Sequence, residues 1–207
     1  TFMEMTQQTA IEKALEDAYT YEGFVKLVED LFNQGKSTGN TQTEAYLNYS
    51  SLNLKRMNRW NKTGKIEESL QQIIQAFQRP IIWMVLTEGW CGDAAHTIPF
   101  MYKMSELSDK IDLKIVLRDD HEDLMNMFLT NGNKSIPKLI ALDKESHDVL
   151  FTWGPRTDEP AQMVVDYKQE HGKLDDNFKQ QLQKWYNKDK GRAVVNKLVN
   201  LTEEHQS

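Results

Sequence analysis

The stretch LTEGWCGDAAHTIP, from Leu86 to Pro99, contains Cys91, the only cysteine in a chain of 207 residues. It continues the apolar run IIWMVLT at 81–87, whose branched and aromatic residues predict a strand buried on both faces. The residues after Cys91 return to helical spacing, so we place the cysteine at a strand-to-helix junction. A thiol at the start of a helix lies near the positive end of the helix dipole, which favours the thiolate.

The segments on either side of this junction predict alternating helices and strands from Ile66 onward. Three further strands are predicted in IDLKIVLRDD, IPKLIALD and DVLFTWG, and HEDLMNMFLTNG predicts a helix that Asn131-Gly132 ends. The order α-β-α-β-α-β-β-α predicts a mixed sheet with helices on both faces. We therefore divide the chain into a helical N-terminal extension at 1–65, with a loop at 33–44, and an α/β domain at 66–207 with an extended C-terminal helix.

The composition excludes several classes of protein. A net charge of −6 disfavours nonspecific binding to nucleic acid, because the phosphate backbone would be repelled. No apolar run approaches the roughly 18–20 residues that cross a bilayer, so we expect no membrane partner. A single cysteine allows no intramolecular disulfide, and the first residues show no signal-peptide pattern. We therefore expect a cytoplasmic protein with a reduced thiol.

Two motifs in these positions resemble the thioredoxin superfamily, in particular its bacterial thioredoxin-like members. GWCGDA at 89–94 matches the family's WCxxC motif except at its last residue, and SIPKLIALD at 135–143 matches the segment that carries a cis-proline beside the active-site sulfur. The resemblance covers about 66–171 and implies a thioredoxin-like fold with Cys91 as the attacking residue. It implies a substrate groove lined by Trp90, Gly92, Asp93, Ala94, Ile136 and Pro137.

Three departures from the family pattern bear on the chemistry of Cys91. Ala94 stands where the family has its resolving cysteine, and Val85 stands where it has a buried acid. Asp93 either raises the pKa of the thiol by its like charge or caps the helix with its carboxylate. His96 assists only if it is protonated and turned back. We expect Cys91 to be exposed and to show some reactivity. Trp90 either flanks the site, where an exposed indole would offer a flat recognition surface, or fills the core.

Three hypotheses about function follow, and none of them needs a cofactor. In the first, the protein is a monothiol thiol-disulfide oxidoreductase, and Cys91 forms mixed disulfides with a protein or with a low-molecular-weight thiol or disulfide. An external thiol must then release the product, because the second sulfur is missing. In the second, the protein is a non-catalytic module that binds a peptide or protein partner in the groove beside Cys91 and Pro137. Regulatory oxidation of Cys91 to a sulfenic acid is a third reading.

Other polar clusters give weaker signals. Arg56 and Arg59 are three residues apart and share a helix face, so they are candidates for binding an anion. The segment 118–120, RDD, ends a predicted strand, and we interpret it as an ion pair or as a helix cap supplied by Asp120. The histidines have no spacing suited to zinc, so we predict no metal site.

Overall fold

The core of the protein is a four-stranded mixed sheet with helices packed on both faces, as predicted. The computed structural model describes residues 5–207, so the first four residues of the predicted extension lie outside the described residues. The strand order is β2-β1-β3-β4, in which β1 is parallel to β2 and antiparallel to β3, and β3 is antiparallel to β4. The strands are β1 Ile81–Thr87, β2 Ile111–Leu117, β3 Lys138–Asp143 and β4 Val149–Trp153.

Strand β1 lies between β2 and β3 and is covered by helices on both faces, so every one of its seven residues is buried. A strand that is covered on both faces needs apolar residues at consecutive positions, and IIWMVLT supplies them. The helices around it are α1 Gln7–Glu16, α2 Tyr21–Asn33, α3 Glu44–Thr63, α4 Glu68–Gln75, α5 Gly92–Glu106, α6 Glu122–Met127, α7 Asp158–His171, α8 Asp176–Asp189 and α9 Arg192–Glu203. None of the helices within 5–207 is long and apolar enough to cross a membrane.

The N-terminal helices pack directly on the α/β core. The N-cap residues of α2 and α3 are Thr20 and Thr43. Their hydroxyls accept hydrogen bonds from the backbone N–H groups of Gly23 and Tyr46. Helix α3 packs along α5, and α2 packs against β2. The division of the chain at 65/66 stays a prediction, since the extension and the core share these contacts.

Two predicted helix boundaries are wrong. Helix α6 ends at Met127, and Asn131-Gly132 instead forms a turn between Thr130 and Asn133, which pair as an isolated β-bridge. Both turn residues have positive φ, which Asn and Gly adopt more readily than other residues. The pattern at 131–132 therefore marked a turn and not the end of a helix.

The predicted single C-terminal helix is also wrong, because it divides into α8 and α9. Lys190 and Gly191 between them adopt the left-handed conformation, with φ of 54° and 75°. A Cβ atom at Gly191 would lie 2.5 Å from the ring of Phe100 in α5. The glycine therefore allows the chain to turn in close contact with the helix that begins at Cys91.

Candidate functional site

The site is built where β1 ends and α5 begins. Cys91 is the N-cap residue of α5, and its Sγ donates a hydrogen bond to the carbonyl oxygen of Ile136 at 3.4 Å. The peptide bond between Ile136 and Pro137 is cis. The fold thus brings together the two motifs that the sequence placed 45 residues apart.

The expectation that Cys91 is exposed is wrong. Only 7% of the residue is accessible, and Ala94 and Pro137 beside it are also buried. Burial, and to a smaller extent the charge of Asp93, raises the pKa of the thiol to about 12. The backbone N–H groups of Asp93 and Ala94, together with the charge of Arg156, act in the opposite direction but do not prevail. The thiol is therefore protonated at neutral pH.

Asp93 does not cap the helix. One of its carboxylate oxygens, Oδ1, accepts hydrogen bonds from Arg156 Nε at 3.0 Å and from the hydroxyl of Tyr186 at 2.6 Å. The other, Oδ2, accepts from Arg156 Nη2 at 2.8 Å, which completes a bidentate ion pair. Both oxygens are therefore occupied, and they tie the first turn of α5 to the segment after β4 and to α8.

His96 lies behind the thiol as a neutral, buried ring. Trp60 Nε1 donates to His96 Nδ1 at 3.0 Å, so Nε2 carries the proton and faces Gln183 Oε1 at 2.7 Å. Burial lowers the pKa of His96 to about 3, and its ring stacks on Tyr186 at 4.4 Å between centroids. His96 therefore supplies no positive charge to Cys91.

A second carboxyl group near this junction belongs to Glu88, whose backbone carbonyl accepts a hydrogen bond from the N–H of Cys91 at 3.1 Å. It is 1% exposed, and its Oε1 accepts a hydrogen bond from the backbone N–H of Asp119 at 2.9 Å. Its Oε2 is enclosed and makes no hydrogen bond of normal distance and angle among the described residues, although the hydroxyl of Thr38 lies close enough to lower the pKa of this carboxyl. Burial is the main reason that the pKa of Glu88 is raised.

The RDD segment behaves in part as interpreted. Arg118 Nε donates to Asp119 Oδ1 at 2.9 Å, which is the predicted ion pair. The helix-cap reading of Asp120 is wrong, because His121 is the N-cap of α6 and makes no side-chain capping bond.

Residues of the N-terminal extension hold the backbone just before Cys91. Thr38 Oγ1 accepts a hydrogen bond from the N–H of Gly89 at 2.8 Å, and Asn53 Nδ2 donates to the carbonyl of Gly89 at 3.1 Å. A Cβ atom at Gly89 would lie 2.7 Å from Val28 Cγ2, so the packing leaves no room for a side chain. The extension is therefore part of the site.

Trp90 is half-buried, between the two placements that the sequence left open. Its ring centroid lies 4.6 Å from that of Tyr46, and the guanidinium of Arg118 lies 4.9 Å from it. Its Nε1 donates to the carbonyl of Thr38 at 3.2 Å. The indole is fixed by the extension and offers only part of its surface to a ligand.

The structure separates the two arginines that the sequence paired. Arg56 lies over the start of α5, where its Nη1 would be 3.1 Å from a Cβ atom at Gly92. Arg59 points elsewhere, with its guanidinium 4.4 Å from the ring of Trp60 and Nη2 donating to Asn187 Oδ1 at 2.6 Å. Of these two arginines, only Arg56 therefore lies against the start of α5.

Sequence reasoning missed several residues of this site. Arg156 could have been found from the motif WGPR at 153–156, because a residue that follows β4 lies at the end of the sheet where Cys91 lies. Nothing local marks Tyr186 or Thr38, whose partners are 93 and 51 residues away in the chain. Within 5–207, no group of three or more His, Cys, Asp or Glu residues is arranged to hold a metal ion.

The comparisons with known proteins agree with this architecture. A family model described as Thioredoxin matches residues 39–188, a range that includes α3 of the extension. A crystal structure of a Pseudomonas aeruginosa protein of unknown function is 19% identical, covers 90% of this chain and 99% of its own, and has a TM-score of 0.55. A crystallised HIV epitope scaffold is 17% identical, covers 85% and 97%, and has a TM-score of 0.54. No curated protein matches the chain.

Proposed function

This chain belongs to the thioredoxin family, and from that premise we propose that it is a thioredoxin-fold binding module. Its cleft beside Cys91 and the cis peptide bond of Pro137 binds an extended peptide of a protein partner. In this proposal Cys91 contributes to the shape and polarity of the cleft and does not turn over disulfides.

The observation that carries the proposal is the state of the Cys91 thiol. It is enclosed, donates a hydrogen bond to Ile136, and has a pKa raised to about 12 by burial and by Asp93. At that pKa, about one thiol in 10⁵ is ionised at pH 7. Because the thiolate is the nucleophile, such a cysteine attacks a disulfide slowly. Ala94 offers no second thiol that would release a mixed disulfide.

The backbone beside the thiol supports a peptide as the ligand. Ile136 lies just before β3, and within residues 5–207 its N–H donates to no backbone carbonyl. An unpaired N–H next to a buried strand end is a ready partner for the carbonyl of an extended chain. Peptides that bind in this way take affinity from the main chain and specificity from neighbouring side chains.

A monothiol oxidoreductase is the second candidate, and the position of Cys91 favours it. Cys91 is the N-cap residue of α5, and the backbone N–H groups of Ala94 and Asp93 lower the pKa of its thiol, although its side chain makes no capping hydrogen bond. In this reaction the Cys91 thiolate attacks a disulfide, forms a mixed disulfide and releases one thiolate. An external thiol then attacks the substrate sulfur of the mixed disulfide and forms a new disulfide with it. Cys91 leaves as the thiolate and takes up a proton.

The two candidates differ in the reactivity of the folded protein. We expect iodoacetamide at pH 7 to alkylate Cys91 at least about a hundredfold more slowly in the folded protein than in urea, because the thiol is enclosed and protonated. We also expect the wild type and Cys91→Ser to reduce insulin and glutathione mixed disulfides equally slowly.

Rapid alkylation of the folded protein, together with a reduction rate that falls in Cys91→Ser, would favour the oxidoreductase over the binding module. An Ala94→Cys variant is the positive control, since it restores the second thiol on the same scaffold. A gain of dithiol activity in that variant shows that the assay detects a competent site.

A further inference from the structure

Beside Cys91 lies a cationic side chain, Arg56, that forms no ion pair within residues 5–207. Arg56 Nη1 donates to Asn53 Oδ1 at 2.9 Å, and Asn53, which is 1% exposed, is anchored to the carbonyl of Gly89 at 3.1 Å. This chain of contacts fixes the guanidinium against the backbone that leads to Cys91. Nη1 then lies 3.1 Å from the point where Gly92 lacks a Cβ atom.

No carboxylate of the described residues pairs with Arg56. The acid that acts on it most is Asp93, but both oxygens of Asp93 are already bound by Arg156 and Tyr186. The Nε of Arg56 is enclosed and has no acceptor. Burial, and then the charge of Arg59, lower the pKa of Arg56, so its surroundings disfavour the charge that it carries. A partly buried, oriented and uncompensated guanidinium is suited to bind an anion.

We propose that Arg56 binds a carboxylate of the peptide in the cleft, so that the partner carries an acidic residue at the position facing Gly92. This inference rests on the proposed function and adds the chemistry of the ligand to it. A guanidinium binds a carboxylate through charge-assisted N–H···O bonds, and Nη2 of Arg56 has no protein acceptor among the described residues, whereas Nε is enclosed. The absence of a side chain at Gly92 lets the guanidinium pack against the start of α5, beside the backbone that leads from Cys91.

Arg59 offers a matched comparison on the same helix. It is exposed, lies on the ring of Trp60 and already donates to Asn187. Removing its charge changes the net charge of the protein by the same amount as removing that of Arg56. A general effect of charge would therefore appear in both variants, whereas a binding site would appear in one.

The experiment is a titration followed by the ¹⁵N–¹H NMR signals of Gly92 and Ile136. The probes are N-acetylated, C-amidated tripeptides with the sequence Gly-Glu-Gly or Gly-Gln-Gly, which differ only in the charged group. A third probe, N-acetylated Gly-Gly-Gly with a free carboxyl end, distinguishes a side-chain carboxylate from a chain terminus. We expect the glutamate peptide to bind about tenfold more tightly than the glutamine peptide, the ratio that one charged hydrogen-bonded contact supports.

We expect Arg56→Gln to remove this tenfold preference and Arg59→Gln to preserve it. Equal binding of the glutamate and glutamine peptides to the wild type would overturn the carboxylate inference and leave the peptide-binding function standing. If no peptide shifts the signals, both proposals fail. Loss of the preference in Arg59→Gln as well as in Arg56→Gln would show a general charge effect and reject the site. The comparison of the peptides on the wild type needs no variant, so it stands even if Arg56→Gln fails to fold.

Discussion

The two carboxyl groups that flank Cys91 are held in opposite ways. Asp93, two residues after the thiol, forms a bidentate ion pair with Arg156 and accepts a hydrogen bond from Tyr186. Glu88, three residues before it, is buried with one oxygen unpaired and with its pKa raised mainly by burial. The same functional group thus serves as a charged tie on one side and a desolvated acid on the other. Whether a carboxyl group near Cys91 is paired or left desolvated depends on partners from distant elements, and not on its distance from Cys91 along the chain.

The largest effect should come from the ion pair. Arg156→Gln leaves Asp93 beside the thiol without its cation, and we expect it to lower the free energy of unfolding by about 3 kcal/mol. Urea denaturation measures this change. Arg59→Gln is the control, because an exposed arginine contributes less than about 1 kcal/mol. Similar losses in the two variants would contradict the structural role of the pair between Asp93 and Arg156.

The next effect tests the packing around Glu88. Gly39 has a φ of 82°, and a Cβ atom there would lie 2.5 Å from Asp119 Oδ2 and 3.2 Å from Glu88 Oε2. We expect Gly39→Ala to destabilise the protein by about 2 kcal/mol or more, from backbone strain and from this contact. Thermal and urea unfolding provide the measurement.

Gly35 is a control for this variant in the same loop. Its φ is 73°, but no atom lies within 4 Å of its Cβ position. Gly35→Ala should cost only the strain of the left-handed conformation, about 1 kcal/mol. Equal costs for the two variants would mean that the contact with the acids contributes nothing.

The effect of Asp93 on the thiol is the third prediction. In Asp93→Asn a charge that raises the pKa of Cys91 is removed, while the lowering effect of Arg156 remains. We expect alkylation by iodoacetamide at pH 8 to become about tenfold faster, which corresponds to one pKa unit. The full dependence of the rate on pH separates two causes. A lower pKa moves the midpoint of the profile, whereas greater exposure raises the rate at every pH and would contradict this explanation.

The smallest effect concerns the charge of Glu88. Because its pKa is raised in the folded protein, the folded state holds this proton more tightly than the unfolded chain, whose pKa is near 4.5. Stability should therefore fall as the pH rises from about 4.5 through the raised pKa of the folded state, and stay lower above it. Glu88→Gln should remove this dependence and raise stability at neutral pH by about 1 kcal/mol.

A pH series of urea denaturations tests this prediction. Glu29→Gln, which changes an exposed acid on α2, should keep the wild-type dependence. An unchanged pH dependence in Glu88→Gln would show that Glu88 is not the group responsible.

Much of the α/β core could be predicted because its signals are local. A strand buried on both faces must be apolar at consecutive positions, so IIWMVLT indicated β1 directly. The two motifs around Cys91 and Pro137 likewise lie within short segments. The ends of α6 and α8 were mispredicted, since Asn131 and Gly191 mark turns whose place depends on what packs against them.

The sequence by itself determined the order of elements, the single thiol at a strand-to-helix junction and the loss of a second thiol at Ala94. Only the tertiary structure decided whether Cys91 is exposed and how the charge of Asp93 beside it is balanced. Thr38 and Asn53 reach Gly89 from the extension, and Tyr186 reaches Asp93 from α8. Burial and pKa depend on neighbours in space, and these neighbours lie 36 to 93 residues away along the chain.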